Sequence, residues 1–297
     1  MPLIRPFPGL RPSADHAADV AAPPYDVLNT AEARERAHGR PWSFLHISKP
    51  EIDLPEGTDP YAPEVYAKAR ENFEHMLSEG VLRQDQAPYY YLYRLVMGAH
   101  TQTGLVAAAS VPDYDSNRIR KHEFTRPDKE DDRVRQIDAL NAQTGPVFLT
   151  YRHDDAIDAL VAAVTAEAPE VDVTADDGVR HSLWVVRDAT QLDVITHTFD
   201  AMKCLYIADG HHRSAAASRV AAQRKAANPS HTGEEAYNYF LSVIFPATQM
   251  QILDYHRVVR DLNGLSEHQF LDALRRAVAI REAAGDVRPA NSAESGM

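Results

Sequence analysis

The feature that most constrains the fold is the alternation of strand-like and helix-like segments between residues 147 and 245. Short apolar runs with a period of two are separated there by longer segments in which apolar residues recur at helical spacing. Such alternation predicts a sheet covered by helices, and two strand-like runs before it predict a hairpin. The expected fold class is therefore α+β, that is, mixed α/β. The predicted strands are 43–47, 89–96, 105–111, 147–151, 181–186, 204–208 and 237–245, and the predicted helices are 61–79, 133–140, 154–166, 188–202, 213–227 and 266–280.

The length and composition are those of a chain that can bury a core. Of 297 residues, 44% are hydrophobic and 25% are charged, which is the balance of a folded globular protein. We expect one large α/β region over residues 1–280, with two subdomains, 1–150 and 151–280, as the alternative. Beyond Ile280 the sequence is small, polar and without periodicity, so residues 281–297 are predicted to be a disordered or altered tail.

The charge balance restricts the expected partners. With 31 Lys and Arg against 43 Asp and Glu, the formal net charge is −12, so neither nucleic acid nor a membrane is expected as a partner. The N-terminus has no signal-peptide pattern, and no run of about 18 apolar residues occurs, so the expected location is cytoplasmic. Cys204 is the single cysteine, which excludes an internal disulfide framework. The oligomeric state stays open.

The strongest local signal is the segment YIADGHHR at residues 206–213, which reads as a strand, a sharp turn and a helix start. Asp209 and Gly210 supply the turn, and the free backbone N–H groups of a helix N-terminus favour an anion. His211, His212 and Arg213 add side-chain donors, which fits phosphate or carboxylate. The alternative is that Arg213 pairs with an acid and the histidines are loop residues. Adjacent histidines point in different directions, so a metal site there would need distant ligands.

A second signal is the charged segment 117–135, in which 12 of 19 residues are charged. In its front part, residues 118–126, cations surround one carboxylate and one hydroxyl, a set that can clamp polyphosphate while the acid orients a metal or takes a proton. The alternative is a solvated face of ion pairs, favoured for 128–135, where Glu130 and Asp131 are expected to pair with Arg133 and Arg135. The groups of the front part are Arg118, Arg120, Lys121, His122, Glu123, Thr125 and Arg126.

A third signal is the segment APPYDV at residues 22–27. Two prolines fix the backbone ahead of Tyr25 and Asp26, which is one way to present a carboxylate in a set geometry. The alternative is that Asp26 caps a helix beginning near Thr30 or is a turn residue.

Several common motifs are absent from the sequence. It contains no G-x-x-x-x-G-K-[ST], no G-x-G-x-x-G, no G-x-S-x-G and no H-E-x-x-H. The P-loop, Rossmann, α/β-hydrolase and zincin classes therefore lack their sequence support.

Taken in order, the segments APPYDV (22–27), RKHEFTRPDKEDDR (120–133) and YIADGHHR (206–213) resemble the bacterial domain-of-unknown-function family DUF1015. The resemblance runs from Pro6 to about Ile280. Members usually continue well beyond this C-terminus, so a truncated C-terminal part is expected. The box at 209–213 is similar to one in the archaeal free serine kinases of the ParB/sulfiredoxin-like superfamily, which make O-phospho-L-serine from L-serine and a nucleotide.

This resemblance implies a ParB/sulfiredoxin-like nucleotide-binding core with additional α/β elements. The expected activity is a small-molecule kinase that uses Mg²⁺ with ADP or ATP and phosphorylates a small hydroxylated metabolite, L-serine above all. Phosphoryl transfer needs mainly positioning and charge neutralisation, which Arg, Lys and His can supply with one carboxylate base. A ParB-like nucleotide-binding regulatory module and a phosphatase using the same anion site are the alternatives.

The roles expected within this scheme divide into two sets. The catalytic candidates are Glu123, Asp26 and His211, with Glu123 or Asp26 as the base, and Glu123 is also the candidate ligand for Mg²⁺, which is otherwise held through phosphates. The candidates for nucleotide and phosphate binding are Asp209, Gly210, His211, His212, Arg213, Arg120, Lys121, His122, Thr125, Lys129 and Arg133.

Overall fold

The computed structural model describes residues 1–253 and 259–281. Contacts divide the chain into two units, residues 1–249 and residues 250–297, which are described separately. The predicted tail at 281–297 lies, except for its first residue, outside the described residues. The alternative subdomain boundary at 150/151 falls inside a strand of the first unit.

The described residues form both strands and helices. The strands are β1 (Ile4–Arg5), β2 (Leu10–Pro12), β3 (Leu82–Gln84), β4 (Tyr90–Met97), β5 (His100–Ser110), β6 (Ile119–Arg120), β7 (Val147–Tyr151), β8 (Val171–Thr174), β9 (Arg180–Val186), β10 (Leu205–Asp209) and β11 (Tyr239–Pro246). The helices are α1 (Ala17–Val20), α2 (Thr30–Ala37), α3 (Leu45–Ser48), α4 (Pro63–Ser78), α5 (Val111–Asp115), α6 (Pro127–Leu140), α7 (Asp155–Thr165), α8 (Ala189–Ala201), α9 (His211–Ala227) and, in the second unit, α10 (Glu267–Arg275).

A mixed sheet organises the first unit. Its strand order is β6-β10-β7-β11-β5-β4-β9-β8, and β1 pairs with β5 beside this path. The pairs β6–β10 and β7–β11 are parallel, whereas the other pairs along the path are antiparallel. Strands β2 and β3 form a separate two-stranded sheet. The mixed α/β class predicted from the sequence is confirmed.

The core lies where helices cover this sheet. Leu92, Leu149 and Ile244 are fully buried in its central strands, and Phe199 of α8 packs into the same cluster. Burial of apolar surface stabilises the fold by roughly 25 cal/mol per Å². Helix α9 is rich in alanine, so its backbone can approach both the sheet and α6 closely, and Ala216 is completely buried against α6. This packing holds the first turn of α9 in place.

Most predicted elements exist, but some bounds differ. Strand β7 has the predicted bounds, and Ser266 caps α10 with a capping box, although the helix ends at Arg275 rather than at residue 280. Helix α6 starts six residues before the predicted start because Pro127 occupies its first turn, where a missing N–H costs nothing.

The predicted strand at 43–47 is wrong, because this segment forms the one-turn helix α3. The backbone N–H groups of Ser48 and Lys49 donate locally, to the carbonyls of Phe44 and Leu45. An apolar run of five residues does not separate a buried helical turn from a strand.

None of the helices in the described ranges is long and apolar enough to cross a membrane.

An ionic network joins α3 to α4. The Nδ1 atom of His46 lies 2.9 Å from both carboxylate oxygens of Asp53, and its Nε2 lies 3.1 Å from the carbonyl oxygen of Arg40. The hydrogen bond to Asp53 raises the pKa of His46. Burial opposes ionisation of Asp53, but hydrogen bonds from His46 and Asn72 outweigh it and lower the pKa of Asp53. The charged pair therefore stabilises the fold.

We predict that this pair makes stability depend on pH. The contribution of His46 to the free energy of unfolding is complete below its ordinary pKa of 6.5, and it is lost as the pH rises through the raised pKa. The contribution of Asp53 is complete above its ordinary pKa of 3.8, and it is lost as the pH falls through the lowered pKa. His46→Gln should therefore lower the free energy of unfolding by about 1–2 kcal/mol between these limits, and by less at pH 9.

Urea unfolding from pH 4 to pH 9 measures this difference. His38→Gln is the control, because His38 is exposed. A loss of stability in His46→Gln that is constant across this range would contradict the prediction.

Candidate functional site

The turn between β10 and α9 depends on a glycine. Gly210 has φ +95°, in the left-handed region, and directly precedes the first residue of α9. A Cβ atom at this position would lie 3.2 Å from the Cα of Val147 and 3.1 Å from the Nε of Arg213. The turn therefore needs glycine both for its backbone conformation and for its close approach to β7.

Arg213, in the first turn of α9, is bound to the surrounding protein. Its Nη2 donates to the carboxylate of Asp209, and its Nη1 donates to the carbonyl oxygen of Pro146. Pairing with an acid, the alternative raised for this residue, is thus confirmed. Its Nε makes no hydrogen bond with any described residue, and Arg213 lines a cavity.

This cavity has a volume of about 940 Å³, within the usual size of a small-molecule site. Its walls come from the first fifty residues, from α6, from residues 143–146 and from β4, β8 and β9. Of the predicted site residues, those that line it are Asp26, Arg133 and Arg213.

Tyr25 joins two arginines in the cavity wall. The Arg133 guanidinium lies 4.1 Å from the centre of the Tyr25 ring. Burial raises the pKa of Tyr25, and the positive charges of Arg133 and Arg213 oppose that rise. Arg133 and Arg213 come from two distant segments, and both therefore influence the pKa of the same phenol.

Arg133 forms an ion pair with its neighbour Asp132. Its Nε and Nη2 lie 3.0 and 2.5 Å from the same Asp132 oxygen, and the hydroxyl of Tyr66 donates to the other oxygen at 2.8 Å. Burial opposes the charge of Arg133, but Tyr25 and Asp132 outweigh it and raise its pKa. Its Nη1 makes no hydrogen bond with a described residue, so it can meet an anion in the cavity.

Asp26 is exposed at the edge of this cavity, within a short 3₁₀ turn at residues 25–27. Its carboxylate makes no ion pair or hydrogen bond with any described residue. Helix α2 does begin at Thr30, but Asn29 caps it through a capping box with Glu32. The capping role considered for Asp26 is therefore wrong, and its carboxylate remains available to a ligand.

His211 belongs to a second cluster, with His122 and Glu123, none of which lines the cavity. The Nδ1 of His211 lies 3.6 Å from one Glu123 oxygen, and the Nε2 of His122 lies 3.8 Å from the other. The two imidazole rings meet edge to face with centroids 4.4 Å apart. Burial, assisted by His122, lowers the pKa of His211, which favours a neutral imidazole.

The segment 121–126 contacts the start of α9 through two imidazole rings. The backbone N–H of Arg126 donates to the Nε2 of His212 at 3.1 Å, and that of His122 approaches the Nε2 of His211 at 3.4 Å. Phe124, between these two contacts, is fully exposed. The two histidines of the 209–213 box thus position a loop.

Other predicted anion-binding residues are engaged elsewhere. Lys121 lies 4.0 Å from the centre of the Tyr114 ring, and Arg120 lies 5.6 Å from that of Tyr206. Lys129 donates to the hydroxyl of Tyr61 at 2.8 Å, and the Thr125 hydroxyl donates to Glu130.

The ion-pair partners predicted for Glu130 and Asp131 are wrong. Both carboxylates pair with Arg219 of α9, at 3.3 and 2.6 Å, because α6 packs along that helix. The pairs therefore join two helices, which local spacing along one helix could not reveal.

Sequence reasoning missed a polar pair in the cavity wall. The Tyr93 hydroxyl of β4 lies 2.6 Å from the Nδ1 of His181 on β9, and the two rings are stacked. Both residues line the cavity. No motif surrounds either residue. The two residues are 88 positions apart, and the antiparallel pairing of β4 with β9 brings them together.

The comparison with protein-family models gives a match. The family model described as "Protein of unknown function (DUF1015)" matches residues 4–297, which is nearly the whole chain. No curated protein and no solved structure matches this chain.

We predict that Gly210→Ala destabilises the fold more than Gly178→Ala. Both glycines have positive φ, so each alanine costs about 1–2 kcal/mol in backbone conformation. A Cβ at Gly178 meets nothing within 4 Å, whereas at Gly210 it crowds Val147 and Arg213. Gly210→Ala should therefore cost about 1–3 kcal/mol more in free energy of unfolding, measured with urea. Equal losses would show that the close approach of this turn to β7 is unimportant.

Proposed function

The chain belongs to the DUF1015 family, whose description names no activity, and from the chemistry of its own cavity we propose that it is a small-molecule kinase. It transfers a phosphoryl group from ADP or ATP to a hydroxylated metabolite. L-serine is the leading acceptor because the 209–213 box resembles that of the free serine kinases. The cytoplasmic location predicted from the sequence fits a nucleotide-dependent activity.

The observation that carries the proposal is the meeting of three sequence segments in one cavity. Asp26 comes from the first segment, Arg133 from the second and Arg213 from the third, and all three line it. Two guanidinium groups can bind phosphate oxygens through N–H groups that have no partner among the described residues. The volume of about 940 Å³ is sufficient for a nucleotide and a small acceptor.

The chemical step assigns a role to each group. The acceptor hydroxyl gives its proton to Asp26, its oxygen forms a bond to the terminal phosphorus, and the bond from that phosphorus to the bridging oxygen breaks. Arg133 and Arg213 neutralise the charge on the transferred group and on the leaving nucleotide. We assign the base to Asp26 rather than Glu123, because Glu123 does not line the cavity.

Mg²⁺ fits this cavity through oxygen ligands. It is usually held by substrate phosphates and one or two carboxylates, and it offsets the charge of the phosphates. The carboxylates that line the cavity are those of Asp19, Asp26, Asp176 and Asp177. Glu123, beside two imidazoles, is less suited to this ion than those groups.

Phosphorus NMR tests the activity directly. Protein, Mg²⁺ and either ADP or ATP are incubated with a panel of hydroxylated amino acids, and a new phosphomonoester signal is expected, strongest with L-serine. Tight nucleotide binding without any product would contradict the kinase proposal. Release of inorganic phosphate from phosphoserine without nucleotide would instead identify a phosphatase.

Two variants test the assigned roles. Arg213→Lys keeps the charge but removes the Nε–H, which has no partner among the described residues, so nucleotide affinity should fall at least about tenfold by calorimetry. Asp26→Asn should abolish turnover while nucleotide affinity stays within about twofold, since it removes the proton acceptor but no phosphate contact.

The matched control for Arg213 is Arg224→Lys, at the other end of α9, where the side chain pairs with Asp138 and Asn141 away from the cavity. Nucleotide affinity that is equal in both lysine variants would overturn the phosphate assignment. Full activity of Asp26→Asn would overturn the assignment of the base.

A further inference from the structure

We propose that His122, Glu123 and His211 form a binding site for one divalent transition-metal ion such as Zn²⁺ or Co²⁺. The site is separate from the cavity and does not rest on the kinase proposal. Among the described residues, these three each offer one ligand atom, and the atoms lie within 4.8 Å of one another. Two imidazoles and one carboxylate form a ligand set that suits transition metals, whereas Mg²⁺ and Ca²⁺ prefer oxygen alone.

The distances fit an open site that closes around an ion. The carboxylate oxygens of Glu123 lie 3.6 Å from the Nδ1 of His211 and 3.8 Å from the Nε2 of His122. Ligand atoms about 2.0–2.1 Å from a tetrahedral Zn²⁺ are roughly 3.3 Å apart, so small movements suffice. His122 and Glu123 can make them, because their side chains are 57% and 62% exposed.

His211 is the rigid member of the set. Its side chain is only 5% exposed, and its Nδ1, directed at Glu123, makes no hydrogen bond with any described residue. Its Nε2 has only the long contact of 3.4 Å with the backbone N–H of His122. The Nδ1 atom of His211 therefore has no hydrogen bond to give up when a metal ion binds.

Two other histidines in the described ranges, His46 and His153, use both of their ring nitrogens differently. His46 contacts a carboxylate and a backbone carbonyl oxygen, and His153 lies between two carboxylates. Both environments favour the imidazolium, which cannot ligate a metal. The two-histidine arrangement around Glu123 therefore differs from these ion pairs.

The local charge does not prevent binding of a cation. The partial positive charge of the helix N-terminus at His211 opposes a cation only weakly. Lys121 is directed onto the Tyr114 ring, and Arg126 pairs with Asp128. Glu123 supplies the negative charge, and the ion keeps at least one open coordination position, since the protein fills three.

Metal binding changes the contacts of the His211 imidazole ring. Ligation through Nδ1 requires the lone pair there, so the ring proton resides on Nε2, opposite the backbone N–H of His122. Two donors cannot remain in contact, and the 3.4 Å contact is therefore lost. Binding should thus displace the segment 121–126 around the fully exposed Phe124.

Titration of the tag-free, chelator-treated full chain with Co²⁺ alone tests the site. We expect one ion per chain, with visible absorption bands in the intensity range of a four- or five-coordinate nitrogen and oxygen site. Zn²⁺ should compete for it, and Mg²⁺ should not. No saturable Co²⁺ binding, or bands of hexaaqua type only, would overturn the proposal.

Variants locate the ion. Glu123→Gln and His122→Ala change exposed side chains and should keep the fold, and each should weaken Co²⁺ binding at least about tenfold, since even outer-shell partners of a metal contribute that much. His38→Ala, an exposed histidine elsewhere, is the control and should bind Co²⁺ as the unmodified chain does. Equal affinity in all three variants would place the ion elsewhere and overturn the assignment. Because no nucleotide is present, the result is independent of the kinase assay.

Discussion

The close approach of the β10–α9 turn to the start of β7 is the contact on which both sites depend. Gly210 allows the backbone to pass Val147 at a distance that any Cβ would crowd. Arg213 then spans the turn, from Asp209 at the end of β10 to the carbonyl oxygen of Pro146 just before β7. Since β7 also pairs with β11, this turn is anchored to the centre of the sheet.

Helix geometry explains why neighbouring residues serve different sites. Successive side chains on an α-helix are rotated by about 100°, so a rotation of about 200° places His211 and Arg213 on nearly opposite sides of the helix. Arg213 accordingly lines the cavity, whereas His211 meets His122 and Glu123 outside its lining. The 209–213 box, which reads as one motif along the chain, is therefore divided between two environments.

The sequence was most informative where a local pattern had a local cause. Strand β7 follows from alternation and has the predicted bounds, and α10 begins within one residue of its predicted start because Ser266 caps it. The segment 43–47 was assigned wrongly, because a short apolar run does not separate a buried helical turn from a strand, and its contacts with Asp53 and Asn72 cannot be read from its own residues. The pairing of Arg219 with α6 was missed for the same reason.

By itself the sequence determined the mixed α/β class, the turn at Gly210 and the three segments that carry the polar groups of the site. Only the tertiary structure decided which of those groups meet. Asp26, Arg133 and Arg213 share a cavity because α6 packs along α9 and also contacts the first fifty residues. Such contacts depend on burial between distant segments, and no spacing along the chain encodes them directly.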